Sequence, residues 1–386
     1  MTTNTKKQHL FCPGPVQLAE NVKRAAIEHE IGHREPEFSE LLTSINNQVL
    51  GLFNVRDKDK YQPVIVSGSG TAANECVLSS VVGDRKILVV SNGEFGERLA
   101  EIASLHNPQT IHLRFEWGEV MHIQEIEDAI KKHRANFVAI VHHETSTGML
   151  NPIIDIGKIV KGCGAAFIVD TVSSAGAEDI SIEDAYITFL TTSASKAIGS
   201  LPGVSIVVGE KEAFEALRNV PARTIYLNLY KFYRFAVDRI QTPNTPAVQS
   251  FFALEQALHN IESQHEAHFA RTKHMADTMR DGLEKLGVRF LLLKEQMSVV
   301  LTTVYAPDHI TVAEIKAQLR ERGIIVYDGK GPLTGKVFQI STIGNLSPEQ
   351  TRFFLKNLGE VLTLEKRVRL LHKGLLGKIF TLHEHH

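Results

Sequence analysis

Between Val64 and Val208 the chain repeats one arrangement: a short, almost wholly apolar run, an amphipathic stretch, then another apolar run. The runs are Val64–Val66, Ile87–Val90, Phe137–Val141, Phe167–Val169, Ile187–Leu190 and Val204–Val208. A strand wetted on one face alternates apolar and polar residues, so strands apolar throughout are buried on both faces. The stretches between them, such as Glu97–Leu105 and Ile123–Lys132, carry apolar residues at helical spacing. Together they predict an α/β fold with a mainly parallel sheet between helices. In such sheets ligands collect at the carboxyl ends of the strands, and the conspicuous polar clusters fall there. These are Ser67 to Thr71, Asn92 to Phe95, His143 to Thr145, and Asp170.

Past Pro246 the pattern changes. A charged, amphipathic stretch from Val248 to Leu286 reads as one or two long helices, followed by a smaller α+β unit with strands near Val299–Val304 and Ile324–Tyr327. Thr311 with Glu314 forms a capping-box pattern closed by Gly323, and Ser347, Pro348 and Gln350 form another. The expected divisions are an N-terminal segment (1–20), a large domain (21–247), a linking helix with a small domain (248–364), and a frayed tail (365–386) ending His-Glu-His-His. A composition of 43% hydrophobic and 22% charged residues, with net charge -2, gives no basic excess to attract nucleic acid or a membrane surface. Cys12, Cys76 and Cys163 are scattered without metal-ligand spacing, and no apolar run approaches a membrane span. The expectation is a cytoplasmic protein, neither exported nor membrane-spanning, with no bound metal.

Lys196, in Thr-Ser-Ala-Ser-Lys, lies just past one strand candidate, and Asp170 ends another. An amine able to form a Schiff base, and a carboxylate able to keep a pyridine nitrogen protonated, are what pyridoxal 5'-phosphate (PLP) chemistry requires. A carboxylate ending a buried strand needs a cation or strong donors beside it; its alternative role is to cap the helix that follows. The Ser67-Gly68-Ser69-Gly70-Thr71 loop reads as a turn opening a helix, whose first amides and dipole can seat a phosphate. It has neither the spacing of a dinucleotide fingerprint nor the lysine of a P-loop. Phe95 can lie on a pyridine ring or fill the core.

On these residues the chain resembles the class V, fold type I PLP-dependent aminotransferases, particularly their 2-aminoethylphosphonate:pyruvate transaminase branch. The similarity is carried by Pro13-Gly14-Pro15, Gly32 to Phe38, Ser67 to Thr71, Val141 to Gly148, Val169 to Ser174, Thr192 to Lys196, and Leu201-Pro202-Gly203. It implies a seven-stranded-type large-domain sheet with a smaller α+β C-terminal domain. It also implies transfer of an amino group from a small amine with an anionic tail to a 2-oxo acid. Lys196 would carry the cofactor on its amine and move the substrate proton. Asp170 would pair with the pyridinium, Thr145 would bond the phenolic oxygen, and Phe95 would stack on the ring. Ser69, Gly70, Thr71 and Ser193 would hold the phosphate, with Thr242 arriving from the second subunit of a homodimer. Arg34 is a candidate for the substrate anion, since a guanidinium fork suits phosphonate or carboxylate; an exposed structural arginine is the alternative.

One departure bears on the reaction. Where the family carries an arginine after a phenylalanine to clamp a carboxylate, this chain has Phe338-Gln339. Losing a charge-assisted contact weakens anion binding by about 1.5–3 kcal/mol, so another cation such as Arg34 or Lys330 substitutes, or the acceptor is not pyruvate. The alternative function is a PLP-dependent lyase or other non-transaminase reaction on a related amine. A desulfurase would need a mobile cysteine in the small domain, where this sequence has none. Asparagine is usual at the position of Ser195, and the segment around Lys330 also differs from the family pattern.

Overall fold

The computed structural model describes residues 8–364 apart from Val82 and Asp84; the tail from 365 to 386 lies outside the described residues. Its centre is a seven-stranded sheet. From one edge to the other the strands are Tyr61–Ser67, Val204–Glu210, Phe189–Ser193, Ala166–Asp170, Phe137–Val141, Ile87–Ser91 and Thr110–Arg114. Val204–Glu210 is antiparallel to both neighbours and every other pairing is parallel. The runs apolar at every position do face two cores. Leu88, Val90, Val138, Ile140, Val169 and Leu190 enter one. Val89, Ala139, Val141, Ile168 and Phe189 enter the other. Helices Pro36–Leu52, Ile153–Gly162 and Val248–Glu262 supply residues to the first core, and Gly70–Val81, Glu94–His106 and Leu229–Arg239 to the second.

Two strand readings need correction. Ile187–Leu190 is displaced to Phe189–Ser193, because Thr188 and Ile187 belong to the approach and the polar Thr191, Thr192 and Ser193 are fully buried ladder residues. Thr110–Arg114 was not anticipated. It pairs on one side only and is half-exposed, so its Thr-Ile-His-Leu-Arg sequence lacks the apolar signature of the central strands.

The expected long stretch after Pro246 is two helices, Val248–Glu262 and His265–Lys285. Beyond it, Leu301–Tyr305, Val337–Ser341 and Tyr327–Asp328 form a three-stranded antiparallel sheet. The Thr311–Glu314 capping box is present, and Gly323 follows its helix in the left-handed region. Ser347 and Gln350 make the reciprocal bonds expected of the second. The N-terminal segment joins this smaller unit: His9–Leu10 pairs with Ile324–Ile325, and Phe11 is fully buried among Met279, Val304 and Phe338.

Candidate active site

Asp170 ends its strand in register with Thr191, and the chain leaves that neighbouring strand for Lys196 a few residues later. The carboxylate is 5% exposed and accepts two hydrogen bonds, each 2.7 Å, from the Val172 N–H and from Asn74 Nδ2. Asn74 is itself fixed by the Thr191 hydroxyl, which donates to its Oδ1. Burial nevertheless outweighs these donors and pushes the Asp170 pKa up to about 6; the charges of Arg98 and Lys196 oppose the shift. A buried anion so incompletely compensated is complementary to a cationic N–H, such as a protonated pyridine nitrogen.

Lys196 is half-buried, and burial, reinforced by the nearby Lys330 ammonium, holds its pKa below the usual lysine range. Its amine lies against Gly14, where a Cβ would come within 2.4 Å of Nζ and 2.6 Å of Cδ. Glycine there therefore keeps open the space at the reactive nitrogen. Cys12 flanks the same place; its thiol bonds the Pro15 carbonyl, and burial raises its pKa despite Tyr327, Gly14 and Lys196. The cysteine thus sits beside Lys196, although it is remote in sequence, and it is held as a thiol rather than a thiolate nucleophile.

The glycine-rich loop opens helix Gly70–Val81. The first amides of a helix have no intrahelical acceptor, so the Gly70 and Thr71 N–H groups and the exposed Ser69 and Thr71 hydroxyls make a donor cluster. A Cβ on Gly70 would lie 2.5 Å from a Val172 methyl, so glycine allows this helix end to approach the segment just after Asp170. Ser193 is buried and its hydroxyl contacts that of Ser195 at 3.1 Å. Small hydroxyl residues therefore replace a larger polar side chain before the lysine.

Thr145 donates to Ser173 Oγ at 2.8 Å, and Ser173 in turn donates to the His143 carbonyl and contacts His143 Nδ1 at 2.9 Å. His143 is fully buried, and burial drives its pKa down to about 3, so the ring is neutral. Glu144 points the other way. Its carboxylate accepts from the Phe95 and Gly96 amides and from Ser146, capping helix Glu94–His106 from a different strand. A Cβ on Gly93 would fall 2.4 Å from Glu144 Cγ. That cap sets the position of Phe95, whose ring has the Lys330 ammonium 4.5 Å and the Arg98 guanidinium 4.8 Å from its centroid.

Gln339 is 1% exposed, and its Nε2 donates to the carbonyls of Thr145 (2.8 Å) and Ser146 (3.0 Å). Both amide N–H groups are thereby committed to the backbone, tying the small sheet to the Thr145 loop. Arg34 is exposed and donates to Gln241 Oε1 and the Thr242 carbonyl, while the Thr242 hydroxyl donates to Asn244 O. The structure thus brings Arg34 and Thr242 together in a second patch, and gathers Lys196, Asp170, Phe95, Thr145, Ser193, Gln339 and the loop from Ser69 to Thr71 around the sheet's carboxyl edge. Sequence reading did not single out Asn74, Arg98 or Ser173. Asn74 carries a usable signal, being one helical turn past Gly70 on the same helix face.

Residues 17–340 match the family model described as aminotransferase class-V. Among curated relatives, a 2-aminoethylphosphonate–pyruvate transaminase of Phocaeicola vulgatus is 31% identical over 351 residues, 88% of this chain and 95% of that protein. An uncharacterized aminotransferase of Methanocaldococcus jannaschii is 31% identical over 350 residues, 89% of this chain and 90% of that protein. The crystal structure of ureidoglycine–glyoxylate aminotransferase from Bacillus subtilis superposes with a TM-score of 0.88 at 26% identity, covering 95% of each chain. Alanine–glyoxylate aminotransferase from Nostoc gives the same TM-score, 0.88, at 27% identity, covering 94% of this chain and 97% of that one. With its half-buried lysine and buried aspartate at the carboxyl edge of a fold type I sheet, the chain belongs to the class V aminotransferases, PLP-dependent enzymes that transfer amino groups.

Proposed function

We propose that this aminotransferase takes its amino group from a small amine with an anionic tail, of the 2-aminoethylphosphonate type, and passes it to a short 2-oxo acid such as pyruvate. The observation that carries the reading is the pair of cations whose charge reaches Lys196, Lys330 and Arg98, which share the single Glu94 carboxylate and so offer positive potential to the anionic tail of a donor. The phosphonate-specific names of several relatives support the choice of tail.

The cofactor, when bound, supplies an electron sink for carbanion character at the substrate carbon. The residues present fit it. Asp170 would accept from the ring N–H, Phe95 would cover a ring face, and Ser69, Gly70, Thr71 and Ser193 would hold the phosphate. Thr145 spends its proton on Ser173 and would offer lone pairs to the cofactor hydroxyl. Lys196 does the proton work at Nζ. Its lowered pKa leaves more free amine at neutral pH than an exposed lysine has, so the nitrogen can both attack a carbonyl and accept a proton. Neutral His143 orients Ser173 and hence Thr145 without adding a charge.

Thr242 and Arg34, joined by a hydrogen bond, would serve a partner's site in a homodimer; the exposed apolar Val237 and Ile240 support this reading. The described cysteines are unpaired, as suits the cytoplasm, and no described helix is long and apolar enough to cross a membrane. Gln339 spends both amide N–H groups on backbone carbonyls and so brings no free donor to a substrate carboxylate, whose anchor would lie elsewhere. A half-reaction screen tests the proposal: 2-aminoethylphosphonate should convert the loaded enzyme to its aminated cofactor form faster than ethanolamine, alanine or serine. Preference for a plain α-amino acid, or product formation without the aminated form, would overturn it.

A further inference from the structure

Gln339 has no free donor, yet the site holds an arrangement of charge that its catalytic residues do not account for. Lys330 Nζ lies 3.2 Å from Glu94 Oε1, and Arg98 Nη2 lies 2.8 Å from the same oxygen. Both cations also flank the Phe95 ring, at 4.5 and 4.8 Å from its centroid. One carboxylate therefore serves two cations, leaving a net positive charge beside Lys196. The three side chains are each about one-third exposed (35% for Lys330, 37% for Arg98, 30% for Glu94), so the cluster is open to a ligand.

The backbone under Lys330 is fixed. The Gly329 N–H donates to Val337 O, the Gly335 N–H donates to Asp328, and Leu333 N–H donates to the Lys330 carbonyl. Gly331 packs on Trp117, where a Cβ would lie 2.7 Å from the indole. Tyr327, at the start of this segment, pairs with Gln339 itself. The ammonium thus projects over Phe95 from a rigid turn of the same small sheet that holds the missing arginine's position.

We propose that Lys330 and Arg98 form the subsite for the substrate's anionic group, with Glu94 occupying it when no substrate is present. The assignment rests on the transaminase reading above. A phosphonate or carboxylate entering the subsite displaces Glu94 and gains both cations, while a neutral tail leaves the ion pairs intact. Selection of an anionic substrate therefore resides in a lysine–arginine pair rather than in a single arginine clamp.

Trp117, the only tryptophan, reports on the Lys330 turn, so its fluorescence can follow binding of ethylphosphonate, which has the tail but no amine. On the PLP-loaded enzyme the titration should saturate. Lys330→Met should weaken it about tenfold or more, the loss of a charge-assisted contact. Glu94→Gln should tighten it about two- to fivefold by releasing the competitor, an opposite sign that simple structural damage would not produce. A parallel propionate titration assigns the subsite to both substrates if Lys330→Met weakens that too, and to the phosphonate amine alone if it does not. An absent saturable signal in the parent, or equal affinities in parent and variants, overturns the proposal. Should 2-aminoethylphosphonate aminate parent and Lys330→Met enzymes equally, the subsite fails while the transaminase reading stands. Should no amine react while the anion series follows the predicted order, the function fails and the subsite stands.

Discussion

Replacing Asp170 with asparagine preserves the shape of the side chain and removes its charge. In the cofactor-free protein, burial pushes this carboxyl from an ordinary 3.8 up to about 6. The folded chain then binds the proton more tightly than the unfolded chain, so the stabilising contribution is complete below the unfolded value and is lost as pH rises through the folded one. A shift of about two units corresponds to about 3 kcal/mol of stability lost to this group by neutral pH. Asparagine does not titrate, so the variant lacks that loss. It carries instead a pH-independent penalty of about 1 kcal/mol, because its amide would oppose the Asn74 amide that now donates to the carboxylate. Urea unfolding of cofactor-free parent and Asp170→Asn proteins between pH 4 and pH 8 measures the difference. The variant should gain on the parent by about 2 kcal/mol as pH rises from 4 to 7, since part of the loss has already occurred at pH 4, while losing most of its affinity for PLP. Parallel stability curves, with the variant destabilised equally at every pH, would refute the claim that an undercompensated anion awaits a cationic partner.

Gly14→Ala places a methyl on the Lys196 amine at a φ of +149°, which disfavours side chains, so the half-reaction should slow about 100-fold with the far-ultraviolet dichroism unchanged. Gln339→Leu leaves the buried Thr145 and Ser146 carbonyls without their donor and should lower unfolding stability by about 1–3 kcal/mol. If that residue clamps substrate instead, the Michaelis constant will rise while stability holds. Glu144→Gln sets an amide against the helix amides it must accept from, and should loosen Phe95 enough to weaken PLP retention on dialysis.

Most of the central sheet was legible because inner strands such as Ile87–Ser91, Phe137–Val141 and Ala166–Asp170 carry nearly continuous apolar runs, a pattern that follows from burial on both faces. Thr110–Arg114 escaped since an edge strand needs no such pattern, and Phe189–Ser193 was misplaced since its hydroxyl residues are buried for the site rather than for the core. Lys196, Asp170 and the Gly70 turn announced themselves by lying at strand ends. Asn74 and Ser173 did not, because each acts through a partner distant in sequence, Asp170 in one case and Thr145 in the other. Gln339 was readable as an anomaly only; that its amide binds two carbonyls of another segment is a tertiary fact. The proximity of Cys12 to Lys196 likewise follows from the N-terminal strand pairing with Ile324–Ile325, which no local pattern specifies.

The whole account turns on Lys196 Nζ as the point of covalent attachment. Borohydride reduction of the PLP-loaded enzyme, followed by digestion and mass spectrometry, should place a phosphopyridoxyl group on Lys196 and leave Lys330 unmodified. A label on any other lysine, or none under conditions where the protein binds PLP, would contradict it.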